Sequence, residues 1–492
     1  MGEVLKMLAF DFGASSGRSI LGVYDGRQLT IEEMHRFSND PVEINHCLHW
    51  DVLRLFFEIK QGILKCLQAG HRDISSIAVD TWGVDFGLLD EQGNLLGNPY
   101  HYRDQRTQGM MEKVFKLIPK EALYEKTGIE FMWFNTILQI YSMKFHQSPL
   151  LKEAKTLLLM PDLFHYFLTG RKTSEYSIAS TTQLMEAEKG TWSDEIIAKL
   201  GLPREIFTDI VPSGTVIGEL SEGIVKELGA SWIKVVAVAG HDTQCAIASV
   251  PAKEEDFVFI SCGTWSLMGV ETDQPVINEK SSTLGFTNEG GVGNKITLLK
   301  NIMGLWLVQE CKRQWEKEGE KVSFAELENM AHEAEPFASF IDPDDHSFIS
   351  PGNMPERIRE YCSKTNQKVP ASRGEIVRCI AQSLALKYRM TVENLEQLLG
   401  KKLPVVHMVG GGIKDRMLCQ FTANATARNV VAGPVEATSI GNLMVQAMAL
   451  GKVKDLKEIR STVAASFPTE NFKPTDTASW NDAYNRFKNI IG

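Results

Sequence analysis

Short apolar runs separated by polar turns recur along the chain, and runs of this length predict buried strands. Met7–Phe12 and Ser19–Tyr24 flank a small turn rich in Gly and Ser, and Phe257–Val270 repeats this strand–turn–strand plan. Other apolar runs of strand length are Ser76–Asp80, Val84–Leu89, Trp232–Ala239, Leu403–Val409 and Asn429–Val431.

Segments with helical periodicity alternate with these strands, which predicts α/β layers. The predicted helices cover Ile118–Glu125, Ile137–Lys144, the segment from Ser193 to Leu200, Gln244–Ser249, Asn301–Cys311, Gly374–Leu399, a segment from about Arg416, and a final core helix to Leu450. Gly400 is a stop signal for the longest of them, and Pro161 is expected to stop the apolar run that begins at Leu157.

The length of 492 residues exceeds what one ordinary core accommodates, so we expect two large domains. The charged stretch Lys253–Asp256 is the predicted boundary, which gives domains over 1–250 and 251–492.

A net charge of −10 argues against nucleic-acid binding through a general basic field. No apolar run approaches the roughly 20 residues of a membrane helix, so no membrane partner is expected. The 8 cysteines form no Cys-x-x-Cys pair, which disfavours a zinc site and favours a cytoplasmic protein with reduced thiols.

The turn between the first two strands combines a carboxylate with small residues. Asp11 ends the first apolar run, and Ser15 and Ser16 lie in the turn that follows. Concave groups of backbone N–H donors bind anions, phosphate above all, and Mg²⁺ prefers oxygen ligands with retained waters. An ordinary Gly/Ser hairpin is the alternative for this segment taken alone.

A strand that runs into Gly410–Gly412 and then a helix adds a third element of this kind. Glycines let a backbone lie close to a ligand such as an adenosine. The P-loop and the G-x-G-x-x-G fingerprint are both missing from the sequence. Two hairpins and a triple glycine in this order predict nucleotide binding in a cleft between two similar halves.

Asp242 is the candidate general base, because it stands where a buried strand meets a helix start. A kinase that acts on an alcohol needs a carboxylate to accept the hydroxyl proton. The alternative is that Asp242 only caps the helix. His241 is expected to be a positioned donor, since no second His or Cys lies at metal-ligand spacing.

The segment Asp80–Phe86 is a candidate wall for a sugar, with Gly83 allowing close approach and Trp82 offering a flat face. Hydrogen bonds to the sugar are expected from Thr81 and Asp85, and also from Arg103 and Asp104 in the charged run that follows. The alternatives are a core Trp and a solvated loop. Asn301 and Gln309 are expected on one helix face with Leu305, where they would meet sugar and nucleotide.

Seven motifs together resemble those of the FGGY carbohydrate kinases, which share a superfamily with actin, hexokinase and the heat-shock chaperone ATPases. The motifs are Asp11–Arg18, Asp80–Phe86, Tyr102–Asp104, Gly240–Thr243, Ser261–Met268, Lys300–Trp306 and Gly433–Ala437. The resemblance runs from about Met7 to Leu450. It implies two ribonuclease-H-like α/β domains that flank a nucleotide and sugar cleft.

The resemblance also implies ATP-dependent phosphorylation of a small ketose, here L-rhamnulose at its 1-hydroxyl, with Mg²⁺. By this resemblance Asp242 is the catalytic base and Asp11 holds the magnesium ion through water. The implied ATP contacts are Ala14, Ser15, Ser16, Gly17, Arg18, Thr264, Gln309 and Gly411. The implied sugar contacts are Gly83, His241, Asp242, Thr243 and Asn301.

Two alternatives stay open at this point. One is another FGGY kinase that acts on fuculose, xylulose or glycerol, because the phosphate hairpins would be the same. The other is an actin-like ATP-binding protein without a sugar acceptor. The sequence leaves the oligomeric state undetermined.

Overall fold

The computed structural model describes residues 4–491. The strands, in chain order, are β1 Leu5–Phe12, β2 Ser16–Tyr24, β3 Leu29–Ser38, β4 Val42–Ile44, β5 Cys47–His49, β6 Ile74–Thr81, β7 Phe86–Leu89, β8 Thr156–Leu159, β9 Ser174–Glu175, β10 Met185–Glu186, β11 Thr191–Trp192, β12 Ile210–Val211, β13 Thr215–Glu219, β14 Lys234–Ala237, β15 Val258–Cys262, β16 Trp265–Thr272, β17 Thr287–Gly290, β18 Ile296–Met303, β19 Val405–Val409, β20 Asn429–Ala432 and β21 Glu470–Phe472.

The α-helices, in chain order, are α1 Val52–Gln68, α2 Met110–Leu117, α3 Lys120–Thr127, α4 Thr136–Phe145, α5 Pro149–Glu153, α6 Met160–Thr169, α7 Tyr176–Ser180, α8 Asp194–Lys199, α9 Glu222–Leu228, α10 Asp242–Ala248, α11 Glu279–Thr283, α12 Trp306–Lys317, α13 Phe324–Glu333, α14 Met354–Lys364, α15 Arg373–Leu399, α16 Arg416–Thr426, α17 Ala437–Ala449, α18 Leu456–Ser466 and α19 Thr477–Ile491. Short 3₁₀ turns lie at Gln105–Thr107, Arg204–Ile206, Val292–Asn294, His346–Phe348 and Gly411–Lys414.

The chain forms two compact units. Unit 1 contains the chain up to Ser249 together with Glu271–Leu298 and Ala437–Ser466. Unit 2 contains Val250–Val270, Leu299–Glu436 and the chain from Phe467 onward. Two segments that follow residue 250 therefore group with unit 1.

Unit 1 is built on the six-stranded sheet β13-β14-β6-β1-β2-β3. β1 pairs antiparallel with β2 and parallel with β6. Because side chains alternate along a strand, the side chains of β1 pack on both faces of the sheet. Phe10 and Phe12 pack into a core with α1 and α6, whereas Asp11 points to Ser439 on α17. The sheet therefore lies between helices on both faces.

The face of α17 that meets the sheet is polar, although the helix itself is buried. Gln446 Nε2 donates to the carbonyl of Leu8 at 3.2 Å, and Ser76 Oγ donates to Gln446 Oε1 at 2.7 Å. Buried polar groups need such partners, since an orphaned one costs about 1–3 kcal/mol. The helix also lies close to α10, where a Cβ on Gly441 would be 1.8 Å from the carbonyl of Cys245.

Unit 2 repeats the plan with the strand order β18-β16-β15-β19-β20-β21. β15 pairs antiparallel with β16 and parallel with β19, as β1 does with its neighbours. The long helix α15 begins at a capping box formed by Ser372 and Glu375 and ends at Gly400, which is left-handed. Both units thus have the predicted α/β character and the same central arrangement of strands.

Three predicted elements differ from the structure. The helix predicted over Ile118–Glu125 is present as α3, but it begins only at Lys120, because Ile118 is extended before Pro119, as residues before proline tend to be. Pro161 lies in the first turn of α6 and so begins a helix, where its missing N–H costs nothing. Asn301 lies in β18, and the next helix begins only at Trp306.

Among residues 4–491 no helix is both long enough and apolar enough to cross a membrane. The eight cysteines are all unpaired, and each except Cys47 is buried.

Candidate active site

The turn between β1 and β2 is held by a side chain that follows β3. Gly13 N donates to Ser16 O at 3.0 Å and closes the turn. Asn39 then donates twice, from Nδ2 to Gly13 O at 2.8 Å and from its backbone N to Ser15 O at 3.1 Å. Sequence reasoning missed Asn39, which is buried and lies in a polar segment without any motif.

Two carboxylates lie opposite each other in register, Asp11 on β1 and Asp80 on β6. Asp11 Oδ2 accepts from Arg18 Nη2 at 2.7 Å and from Ser439 Oγ at 3.0 Å. Asp80 Oδ2 accepts from Asn442 Nδ2 at 2.6 Å, but its Oδ1 is buried without a hydrogen-bond partner. Burial, and next the charge of Asp11, raise the pKa of Asp80 well above its usual value.

These carboxylates suit a hydrated magnesium ion better than a bare one. Within residues 4–491 no three His, Cys, Asp or Glu side chains form a cage for a metal. Mg²⁺ usually keeps several waters and uses one or two carboxylates plus phosphate oxygens. The partnerless Oδ1 of Asp80 beside Asp11 shows that this corner has spare acceptor capacity. Asp11 and Asp80 therefore fit a hydrated magnesium ion.

Asp242 is the first residue of α10, and His241 occupies the capping position, so the simple capping alternative does not describe Asp242. The preceding Gly240 accepts from Thr81 N at 2.9 Å, which ties this turn to the end of β6. Thr243 donates to Asp242 Oδ1 from its N at 2.6 Å and from its Oγ1 at 3.2 Å. The Asp242 side chain is 29% exposed, so a ligand can reach it.

The environment of Asp242 favours a base that works near neutral pH. Burial raises its pKa to about 6, the charge of His241 opposes the rise, and Asp11 adds to it. His241 Nε2 is 3.6 Å from Asp242 Oδ1, and its Nδ1 is 2.9 Å from Glu289 Oε2. Burial disfavours the charged ring, but Glu289, Asp242 and Glu175 together outweigh burial and raise the pKa of His241 to about 9. This environment favours the imidazolium form of His241 at neutral pH.

A second buried acid, Glu175, fixes the backbone before Asp242. Its Oε2 accepts from Gly240 N at 2.8 Å and from Ser177 Oγ at 2.6 Å. Ser177 Oγ in turn accepts from His241 N at 3.2 Å. Nothing in the sequence marks this role of Glu175, since the backbone N–H of Gly240 lies 65 residues away.

The candidate sugar wall is held from behind by Asp85. Its Oδ2 accepts from Trp50 Nε1 at 2.6 Å, Trp82 Nε1 at 3.0 Å and Tyr102 N at 3.1 Å, and its Oδ1 accepts from Gln139 Nε2 at 2.8 Å. The expectation that Asp85 binds sugar hydroxyls was wrong, because four protein donors already use its oxygens. Trp82 is 6% exposed and lies 3.9 Å from Trp50 between ring centroids, so it belongs mainly to the core.

Asp104 is also used internally. It accepts from Leu48 N at 2.7 Å and from Arg106 N at 2.9 Å, so both oxygens already have a partner within the protein, and the expected sugar contact stays a prediction. Gly83 is half-buried, and a Cβ there would meet Thr181 only at an ordinary distance of 3.4 Å. The protein itself therefore leaves room for a Cβ at this position.

The corresponding turn in unit 2 is held by backbone groups. Gly263 O accepts from Leu305 N at 3.0 Å, and Thr264 O accepts from Gly304 N and Trp306 N, both at 3.1 Å. Thr264 Oγ1 donates to Gln309 Oε1 at 3.3 Å, so two predicted nucleotide contacts meet. We expected Asn301 and Gln309 to share a helix face, but Asn301 lies in β18 and only Gln309 lies in a helix, α12.

The three consecutive glycines Gly410–Gly412 differ in how much space surrounds them and in backbone conformation. A Cβ on Gly412 would be 2.4 Å from Cys262 Sγ, and a Cβ on Gly410 would be 3.0 Å from Cys262 O. Gly410 also has a φ of 91°, which L side chains avoid. Gly411 is exposed, and a Cβ there would meet nothing within 4 Å. Open space is therefore found at the glycine predicted to touch the nucleotide.

The structure thus places the predicted residues in two groups. Unit 1 contains Asp11, Ala14, Ser15, Ser16, Gly17, Arg18, Gly83, His241, Asp242 and Thr243. Unit 2 contains Thr264, Asn301, Gln309 and Gly411.

Comparison with known protein families covers most of the chain. Residues 6–248 match the N-terminal domain of the FGGY family of carbohydrate kinases, and residues 258–450 match its C-terminal domain. A rhamnulokinase from Bacteroides thetaiotaomicron is 46% identical over 486 residues, which are 99% of each chain. A rhamnulokinase from Bacillus subtilis is 38% identical over 469 residues, 95% of each chain.

Solved structures show the same fold at much lower identity. A ligand-bound xylulose kinase from Lactobacillus acidophilus superposes with a TM-score of 0.83 at 16% identity, over 99% of this chain and 97% of its own. A glycerol kinase from Plasmodium falciparum, solved with ADP, gives a TM-score of 0.76 at 16% identity over 99% of both chains.

Proposed function

The chain belongs to the FGGY family of carbohydrate kinases, and on this premise we propose that it phosphorylates L-rhamnulose at the 1-hydroxyl, in L-rhamnose catabolism. ATP is the phosphoryl donor, and the products are L-rhamnulose 1-phosphate and ADP. The choice of ketose is supported by the two rhamnulokinases, which match nearly the whole chain. The unpaired cysteines are compatible with work in the cytoplasm.

In the proposed step the sugar 1-oxygen forms a bond to the γ-phosphorus, and the bond from that phosphorus to the bridging oxygen of ADP breaks. The Asp242 carboxylate accepts the proton of the sugar hydroxyl and later releases it to solvent. Asp242 is suited to this role because its pKa of about 6 lies near neutral pH, where a base is both ionised and basic enough. The position of Asp242 at the start of α10, with a side chain that ligands can reach, carries the proposal.

Other residues bind or orient. Gly83, His241, Thr243 and Asn301 are the proposed sugar contacts, and residues 14–18 are the proposed first phosphate loop. In 251–492 the proposed nucleotide contacts are Thr264, Gln309 and Gly411. Asp11 would hold a hydrated magnesium ion, which when bound offsets phosphate charge. Residues 1–250 would thus carry the first phosphate loop and the sugar contacts other than Asn301, and 251–492 would carry the contacts to adenosine.

A panel of acceptors tests the proposal. Initial rates with L-rhamnulose, L-fuculose, D-xylulose and glycerol are measured at saturating ATP and Mg²⁺. We expect the highest kcat/KM for L-rhamnulose, because each unpaired buried donor or acceptor in a mismatched complex costs about 1–3 kcal/mol. L-Fuculose should show the smallest margin, since it differs only in stereochemistry. A preference for xylulose or glycerol would overturn the substrate and leave the kinase assignment standing.

A further inference from the structure

Glu289 has no part in the function described so far, although it lies one side chain away from Asp242. It is on β17 and is 6% exposed. Its Oε2 faces His241 Nδ1 at 2.9 Å, while the other ring nitrogen of His241 faces Asp242 Oδ1 at 3.6 Å. The imidazole ring therefore stands between two carboxylates, with one nitrogen turned to each.

We propose that Glu289 is a positioning residue that holds His241 as an imidazolium against Asp242 and thereby keeps the catalytic carboxylate ionised. The proposal rests on the proposed function in one respect, the role of Asp242 as the base. It adds a residue about 50 positions away in the sequence, on a different element, that sets the strength of that base.

The orientation of Glu289 is itself fixed by a chain of hydrogen bonds. Thr297 Oγ1 donates to Gln244 Oε1 at 2.8 Å, so the amide oxygen of Gln244 is taken. The amide nitrogen of Gln244 must then face the other way, where it donates to Glu289 Oε2 at 3.1 Å. The carboxylate oxygen that meets His241 is therefore held by a second donor, and it cannot turn away without leaving that donor unpaired.

The charges around the pair explain why a cation is needed here. Glu289, Asp242 and Glu175 all favour the charged form of His241. Asp11 and Asp80 are the acids on the neighbouring strands that interact with Asp242. Arg18 is engaged with Asp11, and the thiol of Cys245 stays neutral because burial raises its pKa. His241 is thus a cation that directly faces the base, and Tyr102 is a further titratable group that interacts with Asp242.

The direct test compares pH profiles. In wild type, log kcat/KM for the sugar should rise with pH through about 6, as Asp242 ionises, and fall through about 9, as His241 loses its proton. Glu289→Gln keeps an oxygen for the His241 N–H but removes the charge. We expect the acid limb to move up by about one pH unit, because an adjacent opposite charge is worth about 1–3 units. The alkaline limb should move down toward the ordinary His value.

Two further variants make the test specific. Glu289→Asp keeps the charge and should restore both limbs, even if kcat drops because the shorter side chain sits less well. Glu58→Gln is the matched control, since Glu58 Oε2 lies 2.6 Å from His35 Nε2 in a part-buried Glu–His pair between α1 and β3. This control should leave both limbs in place. A uniform loss of kcat at every pH in Glu289→Gln, with unmoved limbs, would reduce Glu289 to a structural residue and overturn the proposal.

A measurement on the unaltered protein covers the case in which Glu289→Gln fails to fold. Nitrogen-15 NMR of histidine-labelled protein at pH 8 should show one ring with both nitrogens protonated, assigned to His241 by its loss in His241→Gln. A neutral His241 at that pH would overturn the proposal without any substrate. The kinetic arm uses whichever ketose the wild-type enzyme phosphorylates, so failure of the L-rhamnulose assignment would be seen separately.

Discussion

The two hairpins, β1–β2 and β15–β16, have the same topology and opposite chemistry. Around the first lie ionisable groups, with Asp11 paired to Arg18 and aligned with Asp80. The turn of the second hairpin is held by neutral contacts, although Glu271 farther along β16 pairs with Arg460. Its turn is held by backbone bonds from residues 304–306, and Ser266 Oγ lies 2.6 Å from the hydroxyl of Tyr388. The two hairpins therefore share a topology, but charged side chains surround the turn in unit 1 and the corresponding turn of unit 2 is held by neutral groups.

This difference predicts different roles for the two hairpins, although their backbones are similar. A turn whose shape depends on backbone bonds tolerates many side-chain changes, whereas a turn that depends on Asn39 and a charge pair does not. Proton transfer and phosphate charge should therefore depend on unit 1, and recognition of the uncharged part of the nucleotide on unit 2. Substitutions in the two units should separate these effects.

The largest expected effect is that of Asp242→Asn. The amide keeps the shape but cannot accept the proton, so turnover should fall by about 10²–10⁴-fold while folding and ATP binding persist. Asp256→Asn is the control, because it removes an exposed carboxylate of unit 2 that pairs with Lys401. Steady-state kinetics decide the matter. More than roughly a tenth of wild-type turnover in Asp242→Asn would mean that another group is the base.

Gly411→Val should act on the nucleotide alone. The new side chain enters the open space beside Gly411, so the KM for ATP should rise about tenfold or more, with little change in the KM for sugar. Gly412→Ala makes the contrast, because its Cβ would meet Cys262 and should instead lower stability by about 1–3 kcal/mol. Equal changes in both KM values for Gly411→Val would remove this glycine from the nucleotide site.

Asn39→Ala tests whether the first turn depends on a side chain. Removing the Nδ2 donor leaves Gly13 O without that bond, at a cost of about 1 kcal/mol. We expect a KM for ATP about fivefold higher and a slightly lower unfolding temperature. Thermal unfolding with and without ATP separates the two contributions, and an unchanged KM would show that the backbone alone holds this turn.

The smallest effect should come from Thr264→Val in the second turn. Its backbone carbonyl, not its hydroxyl, holds the turn, and the hydroxyl contacts only Gln309 among the contacts seen. Loss of one neutral hydrogen bond predicts a KM for ATP about threefold higher and an unchanged unfolding temperature. A loss of stability comparable to that of Asn39→Ala would erase the distinction between the hairpins.

Local pattern was enough to identify the hairpins, α15 with its Gly400 stop, and Asp242 at the head of a helix. Asn301 was misplaced because Asn301–Trp306 has helical spacing, while pairing in the sheet carries the strand on to Met303. Asn39, Glu175 and Glu289 were missed for a different reason. Each is a polar residue with at least one partner 24 or more residues away in the sequence, so only the folded chain reveals what it holds.

The stripe of Ser439, Asn442 and Gln446 on α17 bears on how the protein is made. This helix supplies partners for Asp11, Asp80 and Ser76, yet it leaves the ribosome about 200 residues after the first continuous part of unit 1 has ended at Ser249. At about 5–20 residues per second, that interval is roughly 10–40 s. During it the nascent unit 1 exposes a face meant for burial. A fragment cut after residue 249 would keep that defect permanently.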